Sequence, residues 1–416
     1  MFERYAIPAR VEEDGKFLIS AAQIKEYREP RLMAKFDHRI QLPPVFAKHR
    51  LAILPVSRGD YVIAPFEAYH LFEPSEQKVA HVSLPAHLQS LSADDIPSEA
   101  IAINCAWASG MLADFLGEEA LHATVSGRMG SGQFDFYIEN TRSAAPFPVS
   151  VRQSQIEIDA AFEGARSLAL LEAKRDLAED FLIRQLYYPF RVWSERIAKE
   201  VRPVFLVYSN GIFRLYEYRF QQPDFYNSLC LVKQKQYAIV DTAITLSDIK
   251  AAALRAGTAA EPPVPFPQAN QFERVVNLCE LLDSQELCRE QVTEEYAFDV
   301  RQTNYYTDAA RYLGLLERRY SEGRKPVYAL TPAGKRILRL GYRPRQLALC
   351  EAILRRRVFR ETFLRYLETG RMPGVEEIAG IMQAAPLYHV GKPSTYRRRA
   401  STVSGWVNWI VNLTGR

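Results

Sequence analysis

Residues 155–176 read QIEIDAAFEGARSLALLEAKRD, two strand-like runs around a Gly164-Ala165-Arg166-Ser167 turn. Side chains alternate faces along a strand, so Glu157 and Asp159 share one face while Ile156 and Ile158 share the other. On the second run Glu172 and Lys174 share a face, opposite Leu171 and Ala173. Pairing about the turn sets position 159 near 172, provided no bulge intervenes, and gathers three carboxylates with one ammonium. Carboxylates held this close raise one another's pKa unless a cation lies between them. All-oxygen ligation suits magnesium, Mg2+, which keeps several waters and takes one or two carboxylates. Lys174 beside such an ion would orient or deprotonate an attacking water and offset phosphate charge.

The bulk properties frame this hairpin. A chain of 416 residues is long enough for two to four domains, and 48% apolar residues exclude a disordered chain. The start, MFERYAIPARVEEDGKF, lacks the apolar core of a signal peptide, and no run reaches the roughly 18 apolar residues of a membrane span. Cys105, Cys230, Cys279, Cys288 and Cys350 are scattered with no CxxC pair, which reads as reduced thiols in a cytoplasmic protein. Charge is unevenly spread. Residues 301–416 carry 22 Lys and Arg against 8 Asp and Glu, an excess of +14, so with a chain total of +4 residues 1–300 carry −10. A basic end on an acidic body is the footprint of nucleic-acid binding.

The expected organisation is an α/β (α+β) chain. Residues 1–92 form a β-rich domain, from runs such as RLAILPV and YVIAPFEAY. Residues 93–255 form a mixed-sheet core: a helix capped by Ser98 and running through Leu116, the strands QFDFYIEN and 155–176, a helix around RQLYYPFR with Pro189 kinking or interrupting it, and a hairpin turning at Asn210-Gly211. The Pro- and Ala-rich stretch 256–268 reads as a linker. A fragment ending near Pro263 is then expected to keep its fold. SGRMGSGQ, 126–133, lacks the Lys-Ser/Thr of a phosphate loop; it reads as a flexible loop whose Arg128 would touch a DNA phosphate.

The hairpin and its flanks resemble the PD-(D/E)xK nuclease family, the phosphodiesterase core of many type II restriction endonucleases. Asp159 matches the family's first acid, Glu172 the second and Lys174 the lysine, and the flanking helices match its αβββαβ order. Ile158 stands where the family often has Pro. The resemblance implies Mg2+ held by Asp159 and Glu172, a further acid from the preceding helix (Glu99, with Glu118 and Glu119 behind it), and Gln185 in the following helix. The Gln-to-Tyr spacing of the exonuclease branch is not reproduced.

Residues 269–342 resemble a winged helix-turn-helix, whose second helix enters the major groove while the wing touches backbone. The reading helix is VRQTNYYTDAARYLGLLER, offering Arg301, Gln302, Asn304 and Tyr305, and the wing RRYSEGRKPVYALT offers Arg324 and Lys325. At an offset of 93 residues STYRRRASTVSGWVNWIVNL repeats the pattern, so 343–416 reads as a second winged-helix-like unit with Tyr396, Arg397, Arg398 and Arg399 toward DNA. Val403, Trp406, Val407 and Ile410 then share an inward stripe. The resemblance implies a sequence-specific double-stranded DNA endonuclease, with a homodimer left open and a cognate DNA methyltransferase as a genetic companion rather than a bound subunit. The rivals are a non-catalytic winged-helix regulator on a nuclease-like scaffold and a structure-specific repair nuclease.

Overall fold

The computed structural model describes every residue except 34, 35, 75–77, 241, 297, 321–325, 389 and 416. Its centre is a seven-stranded mixed sheet built from β1 (Val79–Val82), β2 (His122–Gly130), β3 (Gln155–Glu163), β4 (Ser167–Lys174), β5 (Glu200–Ser209), β6 (Ile212–Phe220) and β7 (Leu229–Ile239). Their spatial order is β1-β7-β6-β5-β4-β3-β2. β2, β3 and β4 form an antiparallel meander. Helix α3 (Arg184–Ser194) then carries the chain over the sheet to β5, which runs parallel to β4.

Strand β4 reads SLALLEAK because it is covered on both sides, and a strand buried on both faces is apolar throughout rather than alternating. Helices α1 (Glu99–Ala108) and α2 (Met111–Leu116) pack over Ala169, Leu171 and Ala173. The opposite face meets α3, where Leu186 and Tyr187 join Leu168 and Leu170. The side-chain oxygen of Ser98 accepts from Ile101 N–H and caps α1, as its position predicts. Gly110, at φ 80°, divides the expected single helix into α1 and α2. Pro189 lies inside α3 without ending it. Asn210 and Gly211, at φ 53° and 73°, make the β5–β6 turn; a Cβ on Gly211 would come within 2.8 Å of Tyr342.

Four features differ from those expected. The N-terminal region is not β-rich: helices such as Ile7–Asp14 and Ala21–Lys25 pack with a sheet of only three short strands. Within 65–92, Val79–Val82 belongs to the central sheet, pairing in parallel with β7. QFDFYIEN is a strand but pairs with Phe147–Arg152 in a separate two-stranded ribbon. Arg128 lies within β2 rather than on a loop.

The C-terminal module begins before the supposed linker. Helix α4 (Leu246–Ala256) packs on α9 (Tyr342–Leu354) and shares one hydrophobic core with the rest of the module. Residues 256–268 are not a free linker either. Phe266 is buried and stacks on Phe359 with ring centroids 5.7 Å apart, an anchor that the Pro-rich composition hid. Next come α5 (Phe272–Leu281), the short strand Leu287–Cys288, α6 (Arg289–Glu295), α7 (Val300–Tyr312), and strands Leu316–Tyr320 and Pro326–Leu330. The three strands form one antiparallel sheet. Helices α8 (Pro332–Leu338), α9, α10 (Arg357–Thr369), α11 (Val375–Gln383) and α12 (Pro393–Asn412) complete the module. Among the described residues 343–416 contains helices and no strand, so the second unit has no wing and no core of its own. Its expected stripe holds: Val403, Trp406, Val407 and Ile410 are fully buried, and Trp406 donates its indole N–H to the Ala269 carbonyl at 2.7 Å.

Candidate functional site

The ladder between β3 and β4 pairs Leu168 with Glu163 and ends at Leu171 opposite Ala160. One step further the carboxylate of Asp159 takes over, its Oδ2 accepting from Ala173 N–H at 2.8 Å. The acid therefore replaces a backbone partner where the strands part, which holds it beside the residues that follow in β4.

A β-bulge explains why only one acid of the first run arrives there. Between the pairs Val125–Ala161 and Gly127–Ile158, three steps along β3 match two along β2. The extra residue lets Ile158 and Ala161 face one core and shifts the register so that exposed Glu157 stands opposite Arg128, with which it ion-pairs at 3.3 Å.

Glu172, Lys174 and Gln185 meet. Lys174 Nζ lies 2.6 Å from Glu172 Oε1, and Gln185 Nε2 donates to the same oxygen at 2.7 Å. Burial, together with the charges of Asp159 and Asp37, pushes the Glu172 carboxyl up to about 7 despite Lys174. Burial works against the Lys174 ammonium, yet Glu172, Asp37 and Glu99 hold it well above the ordinary lysine range. Lys174 is therefore a cation here, suited to neutralise and orient rather than to take a proton. Glu99, in the first turn of α1, is raised chiefly by burial and also by Asp159, Asp176 and Asp37, so it shares this field. Glu118 does not: it is buried at the hairpin turn, accepting from Ser167 Oγ at 2.9 Å.

Sequence reasoning missed the groups that hold the loop after β4. His38 is buried, with Nε2 2.8 Å from Asp176 Oδ2 and Nδ1 2.5 Å from the Asp180 carbonyl oxygen. Burial opposes the charged imidazole, but Asp176 and Asp180 raise its pKa to about 10. Burial would raise Asp176, and His38 holds it below the usual carboxylate range. From the other side Asn277 of α5 donates to the Arg175 carbonyl at 2.7 Å and accepts from Leu177 N–H at 3.0 Å. Arg274 ion-pairs with Glu179 at 2.8 Å and lies over the rings of Phe298 and Tyr306. Glu280 accepts from Ser209 Oγ at 2.7 Å and pairs with Arg345 at 3.2 Å. The C-terminal module is thus joined to the loop through buried polar groups.

Of the residues expected to face DNA, Arg301 is exposed and Asn304 and Tyr305 are half-buried on α7. Gln302 is committed to the helix cap, its Oε1 accepting from Asp299 N–H at 3.1 Å. Tyr396 donates to the Val390 carbonyl at 3.0 Å and packs on the core. Arg324 and Lys325 lie outside the described residues. Arg397 and Arg398 are exposed, Arg397 bridging to Glu376 at 2.8 Å. Arg399 is half-buried with no partner for its Nε; burial and the adjacent Arg398 lower its guanidinium below the ordinary range. Tyr305 and Asp308 of α7 act on the same group in the opposite sense, so Arg399 of α12 lies within reach of the charge on α7.

Three family models match the chain, each described as a domain of unknown function: DUF6996 over residues 1–63, DUF6997 over 64–238 and DUF7226 over 274–415. These limits follow the N-terminal region, the central sheet and the helical module. No curated protein and no solved structure matches the chain.

Proposed function

We propose that this protein is a sequence-specific double-stranded DNA endonuclease of the PD-(D/E)xK kind, a type II restriction enzyme dependent on Mg2+. The observation that carries the reading is the meeting of Asp159, Glu172, Lys174 and Gln185 at the open end of β3 and β4. The order of α1, β2, β3, β4, α3 and β5 supports it, being the helix, three strands, helix and strand of that core.

The donor set fits a hard divalent cation. Among the described residues no group of three or more His, Cys, Asp or Glu forms a ready metal cage. Magnesium, however, needs only one or two carboxylates and keeps its waters. Asp159 and Glu172 would hold it, and the raised Glu172 carboxyl marks a place where added positive charge is favourable. Such an ion would polarise the scissile phosphate and supply an activated water. Lys174 offsets phosphate charge and orients the water, while Gln185 fixes Glu172.

The strand-flanked helices α5 to α7 support a winged-helix reading of the first C-terminal unit, with α7 in the major groove. Arginines at the start of α12 extend that surface. Arg397→Ala, Arg398→Ala and Arg399→Ala are expected to differ. Loss of a bidentate guanine contact costs about 1–3 kcal/mol and relaxes one base pair, whereas loss of a phosphate contact weakens all sequences alike. Arg399, with its unpartnered Nε, is expected to alter sequence preference, and Arg397, held by Glu376, to act least. Binding to the cognate site and its single-base variants at two salt concentrations measures this. Three variants that bind as the parent does would leave the run a solvated basic face.

The function itself is tested with supercoiled plasmid carrying many candidate sites. Conversion to linear DNA with Mg2+, blocked by EDTA, is expected. Intact plasmid bound by the protein would favour a regulator on a nuclease-like scaffold.

A further inference from the structure

Asp37, His38 and Arg39 lie in FDHRI, a stretch of the N-terminal region with no strand or helix periodicity. Each is nonetheless fastened to the loop that links β4 to α3. The Asp37 carbonyl accepts from Leu182 N–H at 2.9 Å. His38 sits between Asp176 and Asp180. Arg39 N–H donates to the Asp180 carboxylate, 3.2 Å from Oδ1 and 3.3 Å from Oδ2. Just before them, the Phe36 carbonyl accepts from Tyr69 Oη at 2.9 Å, and the Phe36 ring is buried. The result is that the Asp37 carboxylate reaches Lys174, with Oδ2 3.9 Å from Nζ, beside the 2.6 Å contact of the same ammonium with Glu172.

We propose that Asp37 and His38 are positioning residues for the reaction: Asp37 gives the Lys174 ammonium a second carboxylate partner besides Glu172, and His38 fixes the loop that sets both. The inference rests on the nuclease reading. Lys174 rests on Glu172 at 2.6 Å, on an oxygen that a cation would need; Asp37, at 3.9 Å, offers the ammonium a second carboxylate to turn to when that oxygen is taken. Asp37 is only about as far from Lys174 as a loose ion pair allows, so its task is orientation rather than tight binding. His38 carries a charge of its own between two aspartates, so the loop is held by charge-assisted hydrogen bonds, which are short and directional. Groups that orient the residues of a site act on the chemical step without touching substrate, and their removal typically lowers activity about 10–100-fold. The N-terminal region is then a part of the active centre, not an appendage to it.

The experiment measures cleavage by full-length parent, Asp37→Asn, Asp37→Glu and His38→Gln on one DNA substrate, separating kcat from KM, with thermal melting of each. Asp37→Asn changes no volume at a half-exposed site, so it keeps the fold even if His38→Gln does not. A kcat at least about tenfold lower for Asp37→Asn, with KM and melting unchanged and partial rescue in Asp37→Glu, is the expected result. An active parent with Asp37→Asn cutting at the parental rate would overturn the positioning role and leave the nuclease reading standing. A parent that never cuts overturns both.

Discussion

Asp159→Ala, Glu172→Ala and Lys174→Ala are each expected to abolish cleavage while leaving specific DNA binding largely intact. The three carry different parts of one task. Asp159 is fixed by Ala173 N–H at the end of the ladder, Glu172 is the buried acid with a raised pKa, and Lys174 is the cation between carboxylates. A loss of more than about a hundredfold is the lower bound for removing a positioned acid, base or charge from a reacting centre. Binding persists because the basic excess lies beyond residue 300, on a different module. Structural cost is modest for Asp159→Ala, where the N–H of buried Ala173 loses its acceptor, about 1–3 kcal/mol. Rates on one substrate and retention of that DNA in a gel separate the two effects. Normal cutting by any one variant removes that residue from the mechanism.

A fragment of residues 1–240 is expected to lose site-specific affinity by about a thousandfold or more, the usual gap between specific and unspecific binding. It should also melt below the full chain. The cut must fall there and not near Pro263, because α4 packs on α9 and would be left with an apolar face. Removing α5 further strips Arg175 and Leu177 of Asn277, and Ser209 of Glu280. Fluorescence anisotropy with the cognate duplex and a thermal scan measure both. Undiminished specific binding by the fragment would place sequence reading in the first 240 residues. For the full chain, affinity should fall steeply with salt as phosphate contacts release counterions.

How far the sequence carried these conclusions differs from element to element. The 155–176 hairpin was legible because its turn and alternation are local, and the register follows from the turn: continuing the observed ladder sets 159 opposite 172. The bulge at Asp159-Ala160 was not legible, since nothing in QIEIDAAF marks an extra residue, and it is what sends Glu157 to Arg128. Asp37 and His38 were invisible for a stronger reason. Their place depends on docking across about 140 residues of chain, through contacts such as His38 with Asp180, which leave no periodicity behind. The second wing was an over-reading: an apolar stripe after YRRRAS marks an amphipathic helix of any fold, and here it packs into a shared core. The supposed linker failed similarly, since Pro-rich composition says little about one buried Phe266.

The most direct measurement is digestion of phage DNA by the pure full-length protein, with Mg2+ or with EDTA, resolved on a gel. The account predicts discrete fragments with Mg2+, none with EDTA, and none from Glu172→Ala under either condition. A smear would keep the nuclease and contradict the sequence specificity. DNA that stays intact with Mg2+, although the protein binds it, would contradict the central claim.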